Sequence, residues 1–191
     1  MLVISPNDEG GPMVGTGVYD GTIDTGDIDS WSFTVCAGDI ISINVAELVG
    51  GSTLTPWLRL YGRDGVLLKN LSGAATVQFT NFPAPASGTC TVVVSDLTAG
   101  WAGTGTYRLT VNGLSDGLKL CPPIIAGTNV NVVGIGGLPG APFTLLSSTN
   151  VATPIVLWTP LTNQFDQFGV MNITNVFNPG EPQRFFILRM P

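Results

Sequence analysis

Apolar and polar residues alternate in short runs along most of this chain of 191 residues. A run with this period of two has one apolar face, as in a β-strand that packs one side against a core. Between residues 19 and 111 the pattern predicts eight strands: Tyr19–Ile23, Trp31–Val35, Ile40–Val45, Pro56–Tyr61, Val66–Asn70, Thr76–Phe82, Thr89–Ser95 and Tyr107–Val111. Beyond residue 123 it predicts five more: Asn129–Val133, Phe143–Ser147, Ile155–Trp158, Val170–Thr174 and Arg184–Met190. No long stretch repeats with the helical period, so we expect almost no helix.

Glycine and proline, at 25 and 14 residues, separate these strands with turn signals. Short strands at this spacing are typical of antiparallel β-sandwiches. We therefore predict an all-β fold of two tandem antiparallel sandwiches, jelly-roll or immunoglobulin-like. The predicted segments are a leader or linker strand at 1–18, a sandwich at 19–113, a turn-rich connector at 114–123 and a smaller sandwich at 124–191. The diproline Pro122-Pro123 ends the connector and stiffens it.

The stretch from Gly26 to Val45 organises the first predicted sandwich. It begins with an acidic turn, continues as an alternating strand, turns at Ala37-Gly38-Asp39 and resumes as a second alternating strand. Two such strands around a short turn that contains glycine are typical of a β-hairpin. We therefore predict that the strands before and after Gly38 pair with each other.

Four motifs in the first part of the chain carry a family resemblance: Asp29–Val35, Leu58–Gly65, Ala86–Val94 and Gly103–Val111. In this order they resemble the strands and turns of the bacterial pre-peptidase C-terminal domain, a small β-sandwich appended to many secreted enzymes and surface proteins. Cys90 departs from the pattern, because the family usually has an aromatic residue there. The resemblance covers about half of the chain and implies a sandwich fold and a secreted or surface habitat.

Three runs in the last part of the chain carry a second resemblance: Pro139–Asn150, Trp158–Pro160 and Pro182–Leu188. They resemble a C-terminal module at the ends of large secreted bacterial β-repeat surface proteins. We know of no established activity for that module. The resemblance therefore implies habitat and modular architecture alone.

The net charge of -6 and the low charged content of 10% indicate which partners to expect. A chain with so few basic residues has no positive surface for phosphate backbones, so we expect no nucleic-acid partner. Its apolar runs are much shorter than the roughly 20 residues needed to cross a bilayer, so we expect no membrane span. The first residues lack the features of a signal peptide, and we expect an extracellular protein whose targeting segment is absent from this sequence.

The chain contains no histidine, which removes the usual general base and most catalytic zinc sites. A Ser-Lys pair with Lys69 or Lys119 is formally open, but neither lysine lies in a nucleophile motif. Only three glutamates occur, and the aspartates lie mostly in turns, so a carboxylate pair set into a cleft is not expected. We therefore predict that the protein is not an enzyme.

The cysteines are odd in number and have no zinc-like spacing. Cys36 ends one predicted strand and Cys90 begins another, so we expect a Cys36–Cys90 disulfide and one free thiol. Cys121, beside the diproline, is the competing partner for Cys36. Three reduced cysteines in the core are the remaining alternative.

One acidic constellation has the composition of a calcium site. Its members are the turn residues Asp24, Asp27 and Asp29 and the leader residues Asn7, Asp8 and Glu9. If the leader folds back over the turn, their oxygens would form a cage for calcium, the one cofactor that we consider. A solvated turn in which aspartate caps the backbone is the alternative.

An aromatic platform is a second candidate site. Trp57, Arg59 and Tyr61 lie on one face of a predicted strand, and Trp101 lies in a Gly-rich loop. Together they would bind sugar rings or a collagen-like fibre. Aromatic residues with period two are often core residues, which is the alternative.

The leading hypothesis from the sequence is a non-catalytic structural module of an extracellular bacterial surface protein, with other copies or other domains as partners. Low charge and open sandwich edges favour strand addition between subunits and assembly into a filament. The residues expected to mediate it are apolar and near the termini: Leu2, Val3, Ile4, Phe185 and Ile187. Docking or fraying of residues 1–5 on their own domain is the alternative. The second hypothesis is an accessory module of a secreted hydrolase that binds polysaccharide or a fibrous protein.

Overall fold

The computed structural model describes residues 9–176 and 181–190. Within these ranges the chain forms sixteen β-strands, two 3₁₀ turns and no α-helix, and the prediction of an all-β fold with almost no helix is confirmed. No helix there is long and apolar enough to cross a bilayer. The predicted site residues Leu2, Val3, Ile4, Asn7 and Asp8 lie outside the described residues.

The chain divides into two compact units, one up to Asp116 and one from Gly117 onwards. This division falls inside the predicted connector at 114–123, but a two-residue strand, Lys119–Leu120, also lies within that connector. The predicted domain assignment stays a prediction. The two units are described one at a time below.

The first unit contains strands β1 to β9. Their bounds are β1 Gly10–Pro12, β2 Gly17–Ile23, β3 Ile28–Val35, β4 Ile40–Glu47, β5 Pro56–Tyr61, β6 Leu67–Ser72, β7 Thr76–Pro83, β8 Gly88–Asp96 and β9 Gly105–Asn112. The eight strands predicted between residues 19 and 111 correspond to β2 to β9. They form a five-stranded sheet in the order β1-β3-β8-β5-β6 and a four-stranded sheet in the order β2-β9-β4-β7.

The period-two pattern decides which side chains form the core of the first unit. On β5, Leu58 and Leu60 are fully buried, and on β9 the same holds for Tyr107 and Leu109. Residues from both sheets belong to one hydrophobic cluster, so the inner faces of the two sheets pack against each other. This packing leaves the alternate residues of each strand on the outer faces.

Part of the predicted leader pairs with the first sheet. Gly10–Pro12 forms a strand that pairs parallel with β3, as an edge of the five-stranded sheet. Met13 follows it and is buried, and its N–H donates to the carbonyl of Ser32 at 2.7 Å. Glycine and proline are typical of loops, but Gly10–Pro12 forms a strand here because the backbone groups along one side of β3 are available for pairing.

The predicted hairpin between β3 and β4 is wrong. β3 pairs with β1 and β8, whereas β4 pairs with β7 and β9, so the chain crosses from one sheet to the other after Cys36. The carboxylate of Asp39 accepts the N–H of Cys36 at 2.8 Å, and Gly38 adopts a positive φ of 85°. Both strands keep their apolar faces on the core, because the two sheets pack against each other.

Asp64 and Gly65 lie in the turn of a β-hairpin. β5 and β6 pair antiparallel, with Trp57 opposite Ser72. The N–H of Gly65 donates to the carbonyl of Gly62 at 2.9 Å. Gly65 has a positive φ of 75°, which explains why glycine occupies the tip of this turn.

The second unit contains strands β10 to β16. Their bounds are β10 Lys119–Leu120, β11 Ile124–Ala126, β12 Asn129–Ile135, β13 Pro142–Ser148, β14 Thr159–Gln164, β15 Met171–Val176 and β16 Phe185–Arg189. One sheet has β12 paired with β10, β11 and β15, and the other has the order β14-β13-β16. Core residues come from both sheets, and the rings of Phe143 and Phe165 lie 4.9 Å apart.

One strand predicted in the second unit is wrong. Residues Ile155–Leu157 form a 3₁₀ turn, and β14 begins only at Thr159. The N–H of Leu157 donates to the carbonyl of Pro154 at 2.9 Å, which closes the turn. Trp158 is buried, and its indole N–H donates to the carbonyl of Thr153 at 2.9 Å, so this aromatic residue anchors a loop.

Candidate functional site

A pocket of about 160 Å³ lies in the first unit, at one end of the five-stranded sheet. It is bounded by the acidic turn before β3, by β5, by the end of β8 and by the 3₁₀ turn Ala99–Trp101. The lining residues are Gly26, Asp27, Ile28, Trp57, Arg59, Ser95, Asp96 and Trp101. Three of the four residues of the predicted aromatic platform therefore meet at one pocket.

Trp57 and Arg59 lie on the outer face of β5, because Leu58 and Leu60 occupy its inner face. The guanidinium carbon of Arg59 lies 4.1 Å from the centre of the Trp57 ring, a cation–π contact. The indole N–H of Trp57 donates to Oδ1 of Asn70 on β6 at 2.6 Å. The neighbouring strand thus fixes the ring that supports the guanidinium.

Arg59 also contacts β8. Its Nη2 donates to the hydroxyl oxygen of Ser95 at 3.1 Å. The Nε atom is buried and has no hydrogen-bond partner among the described residues. Tyr61, the fourth residue of the predicted platform, is half-buried at the end of β5 and does not line the pocket.

Trp101 contributes an open aromatic surface, since its side chain is 61% exposed. It has a positive φ of 51°, a conformation that is uncommon for residues other than glycine. Its carbonyl accepts the N–H of Gly26 at 2.9 Å, which ties the 3₁₀ turn to the acidic turn. The backbone contact holds the exposed ring beside the pocket.

Asp96 organises the loop that carries Trp101. Its buried carboxylate accepts the N–H groups of Thr55 at 2.8 Å, Thr98 at 3.0 Å and Gly103 at 2.8 Å, together with the hydroxyl of Thr98. Burial raises the pKa of Asp96, but these hydrogen bonds outweigh it and hold the pKa below its ordinary value. A Cβ at Gly103 would lie 2.4 Å from Oδ1 of Asp96, so only glycine fits there.

Asp27 closes the acidic turn at the other side of the pocket. Its Oδ1 accepts the N–H of Ile28 at 2.7 Å, and its Oδ2 accepts the N–H of Asp24 at 3.4 Å. The N–H of Asp27 in turn donates to the carbonyl of Asp24 at 3.1 Å. This is the local capping role that aspartate commonly has in turns.

Asp29 lies in the core of the first unit, because it shares the inner face of β3 with Trp31. The hydroxyl of Tyr107 donates to Oδ2 of Asp29 at 2.5 Å and accepts the indole N–H of Trp31 at 2.9 Å. Burial, followed by the hydrogen bond to the Asp29 carboxylate, raises the pKa of Tyr107 far above its ordinary value. A Cβ at Gly21 would lie 2.5 Å from the Tyr107 hydroxyl oxygen, so glycine makes room for this network.

The predicted calcium ligands are divided between these environments. Asp24 and Asp27 form the turn, Asp29 lies in the core, and Glu9 is half-exposed before β1. Among the described residues, no three acidic, histidine or cysteine side chains are arranged to hold a metal ion. Since two predicted ligands lie outside the described residues, the calcium site stays a prediction.

The predicted disulfide between Cys36 and Cys90 is wrong. Cys36 and Cys121 are the disulfide-bonded cysteines, and Cys90 is free and buried. Cys90 packs in the hydrophobic cluster of the first unit, where burial, and to a lesser extent the charge of Asp64, raises the pKa of its thiol to about 11. Cys121, which the sequence left open as an alternative, is disulfide-bonded, whereas Cys90 is not.

The two predicted self-association residues that the structure describes lie on β16. Phe185 is half-buried, whereas Ile187 is 37% exposed. β16 is an outer strand of the three-stranded sheet in the second unit, paired on one side with β13. Its other edge is open within that sheet as described.

Sequence reasoning missed the pocket residues Ser95 and Asp96. A signal for Asp96 was present, because Asp96-Leu97-Thr98 follows a strand and precedes a Gly-rich loop. Aspartate two residues before threonine is a common start for a turn in which the carboxylate accepts backbone N–H groups. No comparable signal distinguishes Ser95 from other strand serines.

Comparison with family models and with curated proteins finds no match to this chain. Solved structures do match over part of it. The pre-peptidase C-terminal domain of a collagenase from Bacillus anthracis is 20% identical, with a TM-score of 0.42, and the match covers 56% of this chain and 99% of that domain. A pre-peptidase C-terminal domain is thus among the structural neighbours of this chain, at low identity and over part of its length.

Two further matches cover a similar share of the chain. PliG from Salmonella Typhimurium, a periplasmic inhibitor of g-type lysozyme, is 17% identical with a TM-score of 0.38, over 56% of this chain and 98% of that one. CorA, a surface-associated copper-binding protein from Methylomicrobium album, is 12% identical with a TM-score of 0.42, over 55% and 98%. The resemblance to a β-repeat surface module stays a prediction.

Proposed function

We propose that the protein is a non-catalytic binding module of an extracellular or cell-surface protein, and that its first unit holds a saccharide ring at the pocket beside Trp101. The observation that supports this function is the exposed Trp101 ring next to the stacked pair Trp57 and Arg59. Sugar rings have apolar faces that pack on aromatic rings, and their hydroxyl groups exchange hydrogen bonds with polar side chains.

The size of the pocket favours a single ring. Pockets that enclose drug-sized ligands measure about 300–1,000 Å³. The volume here is about 160 Å³. A terminal residue or one residue of a longer glycan fits this size better than an enclosed chain does.

The chemistry of the pocket favours binding without catalysis. A glycoside hydrolase of the usual type needs two carboxyl groups that flank the scissile bond, one as acid and one as base or nucleophile. Asp96 is buried and accepts four hydrogen bonds, and both oxygens of Asp27 accept backbone N–H groups. Both carboxylates therefore have structural tasks, and the sequence contains no histidine to replace them.

The habitat follows from the cysteine chemistry. Disulfides form and persist in oxidising compartments such as the periplasm and the cell exterior. Cys36 and Cys121 are disulfide-bonded. An extracellular or surface location is consistent with this bond and with a glycan as ligand.

Titration calorimetry with soluble oligosaccharides tests the proposal, and Trp101→Asn is the variant of choice. Asparagine removes the ring but tolerates the positive φ of this position. Burying a large apolar side chain contributes about 1.5–3 kcal/mol, so we expect binding to weaken at least about tenfold. Val49→Asn, at a side chain that is 63% exposed and does not line the pocket, is the matched control. Unchanged binding by Trp101→Asn would reject this site.

A second proposed function is self-assembly into a filament, with strand exchange between copies. The observation that favours it is the open edge of β16 with its exposed Ile187, together with β14, all of whose residues are exposed on the opposite edge of the same sheet. An added strand would satisfy the free backbone groups of either edge. The apolar residues Leu2, Val3 and Ile4 are the proposed donor segment.

Deleting residues 1–8 tests this mechanism, because the deletion leaves β1 and its pairing with β3 intact. Light scattering after size exclusion should show a shift from assemblies to monomers. Ile187→Lys places a charge on the same proposed edge and should act in the same way. Assembly that survives both changes would contradict strand exchange at these sites.

A further inference from the structure

The acceptor groups of the pocket already accept hydrogen bonds from within the chain. The carboxylate of Asp96 accepts four hydrogen bonds, and each oxygen of Asp27 accepts a backbone N–H. The hydroxyl oxygen of Ser95 accepts from Arg59. Each carboxylate oxygen of the lining thus has at least one partner within the chain, and the remaining lone pairs are mainly those of Asp27 and Ser95.

The donor groups, in contrast, have spare capacity. A guanidinium has five N–H groups, and Arg59 donates one of them to Ser95. Its unpartnered Nε–H is buried, so the Nη groups are its donors towards a ligand, and Arg59 forms no ion pair within residues 9–176 and 181–190. Ser95 retains its hydroxyl proton as a further donor. The pocket therefore suits a ligand that brings acceptor oxygens.

The charge of the pocket argues against a carboxylate as that acceptor. Asp27 and Asp96 both line it, and the lowered pKa of Asp96 keeps that side chain ionised at neutral pH. With Arg59 as the one cation, the lining carries a net charge of about -1, and the chain carries -6. A carboxylate on the ligand would be repelled by these two carboxylates, so a neutral carbonyl oxygen is the better partner for Arg59.

We infer that the pocket prefers an N-acetylated amino sugar, whose acetamido carbonyl accepts from Arg59 while its methyl group packs on Trp101. The acetamido group supplies a neutral acceptor for the N–H groups of Arg59 and a small apolar methyl group for the exposed ring of Trp101. This inference rests on the proposed saccharide function and specifies its substrate class.

The test compares three trisaccharides by titration calorimetry on the full chain: chitotriose, with N-acetylglucosamine units; cellotriose, with glucose units; and trigalacturonate, with a carboxylate on each ring. We expect chitotriose to bind at least about tenfold more tightly than cellotriose, because its acetamido carbonyl adds a hydrogen bond to the charged guanidinium of Arg59. Trigalacturonate should be the weakest ligand.

Arg59→Lys keeps the positive charge but loses the Nε–H and the planar fork. It should bring the ratio of the chitotriose affinity to the cellotriose affinity close to one. Arg63→Lys is the matched control, because Arg63 donates to the carbonyl of Ser87 outside the pocket. Circular dichroism of both variants verifies that they are folded, and the preference of the unmodified chain decides the question independently of them.

Equal affinity for chitotriose and cellotriose, or tightest binding of trigalacturonate, would overturn the inference while the saccharide function stands. A preference that persists in Arg59→Lys would overturn the role of Arg59. If no saccharide binds at millimolar concentration, the proposed function itself fails, and the inference fails with it.

Discussion

Replacing Tyr107 by phenylalanine removes one hydroxyl group from the centre of the first unit. That hydroxyl accepts the indole N–H of Trp31 at 2.9 Å and donates to Oδ2 of Asp29 at 2.5 Å. Tyr107 and Asp29 are fully buried, and Trp31 is 8% exposed. Because water has no easy access, neither partner can replace the lost hydrogen bond without a rearrangement.

The size of the effect follows from these two contacts. Leaving a buried polar group without its partner costs about 1–3 kcal/mol, with charged groups at the upper end. We therefore expect Tyr107→Phe to lower the free energy of unfolding by about 2–4 kcal/mol. The ring itself is retained, so lost packing contributes little to this value.

Urea denaturation followed by circular dichroism measures the change. Tyr19→Phe is the matched control, because the Tyr19 hydroxyl makes a long exposed hydrogen bond of 3.4 Å to the carbonyl of Val14. Its loss should cost less than about 0.5 kcal/mol. If Tyr107→Phe destabilises no more than Tyr19→Phe does, the buried network does not contribute to stability as argued here.

Three further predictions rest on contacts within the first unit, and a fourth tests the calcium site expected from the sequence. Gly21→Ala should destabilise the first unit in urea titrations, because its Cβ would lie 2.5 Å from the hydroxyl oxygen of Tyr107; an unchanged midpoint would contradict this close approach. Burial raises the pKa of the Cys90 thiol from 9.0 to about 11. The stability that this thiol contributes is therefore fully present below pH 9 and is lost as the pH rises towards 11. Cys90→Ala should make the melting temperature fall less steeply over this pH range. A nonreduced digest should release Cys90 in an unlinked peptide, and a linked peptide pair that contains Cys90 would contradict this. If the leader and the acidic turn bind calcium, a hundredfold excess over Kd should raise the free energy of unfolding by about 2.7 kcal/mol, whereas a melting temperature indifferent to calcium and chelator would reject the site.

Alternation predicted the strands well because it records which face of a strand is buried. It does not record which strand lies alongside. β3 and β4 are adjacent in sequence and both alternate, yet they lie in different sheets. Residues Ile155–Leu157 are apolar without alternating, and there the strand prediction was wrong. Short strands such as β10 and β11 exist because β12 offers pairing partners, which no local pattern reveals.

Alternation also indicates that two predicted site residues, Asp29 and Cys90, lie on the buried faces of their strands. Counting back from Trp31 in steps of two places Asp29 on the inner face of β3, where the structure has it. Counting forward from Cys90 places it on the same face of β8 as Val92 and Val94, as a core residue. The calcium site predicted for Asp29 and the disulfide predicted for Cys90 rest on side-chain chemistry, whereas the position of each residue along its strand indicates the core.

The pocket could be predicted only in part, since its residues come together through loop closure. Trp57 and Arg59 are two residues apart on one strand, so their common face follows from the sequence. Trp101 reaches them because the carboxylate of Asp96 collects donors from both sides of its loop and the carbonyl of Trp101 accepts from Gly26. The contacts of Asp96 with Thr55 and of Trp101 with Gly26 join residues far apart in the sequence, and the alternating pattern does not encode them. The binding chemistry proposed here thus depends on one buried aspartate that itself need not contact the ligand.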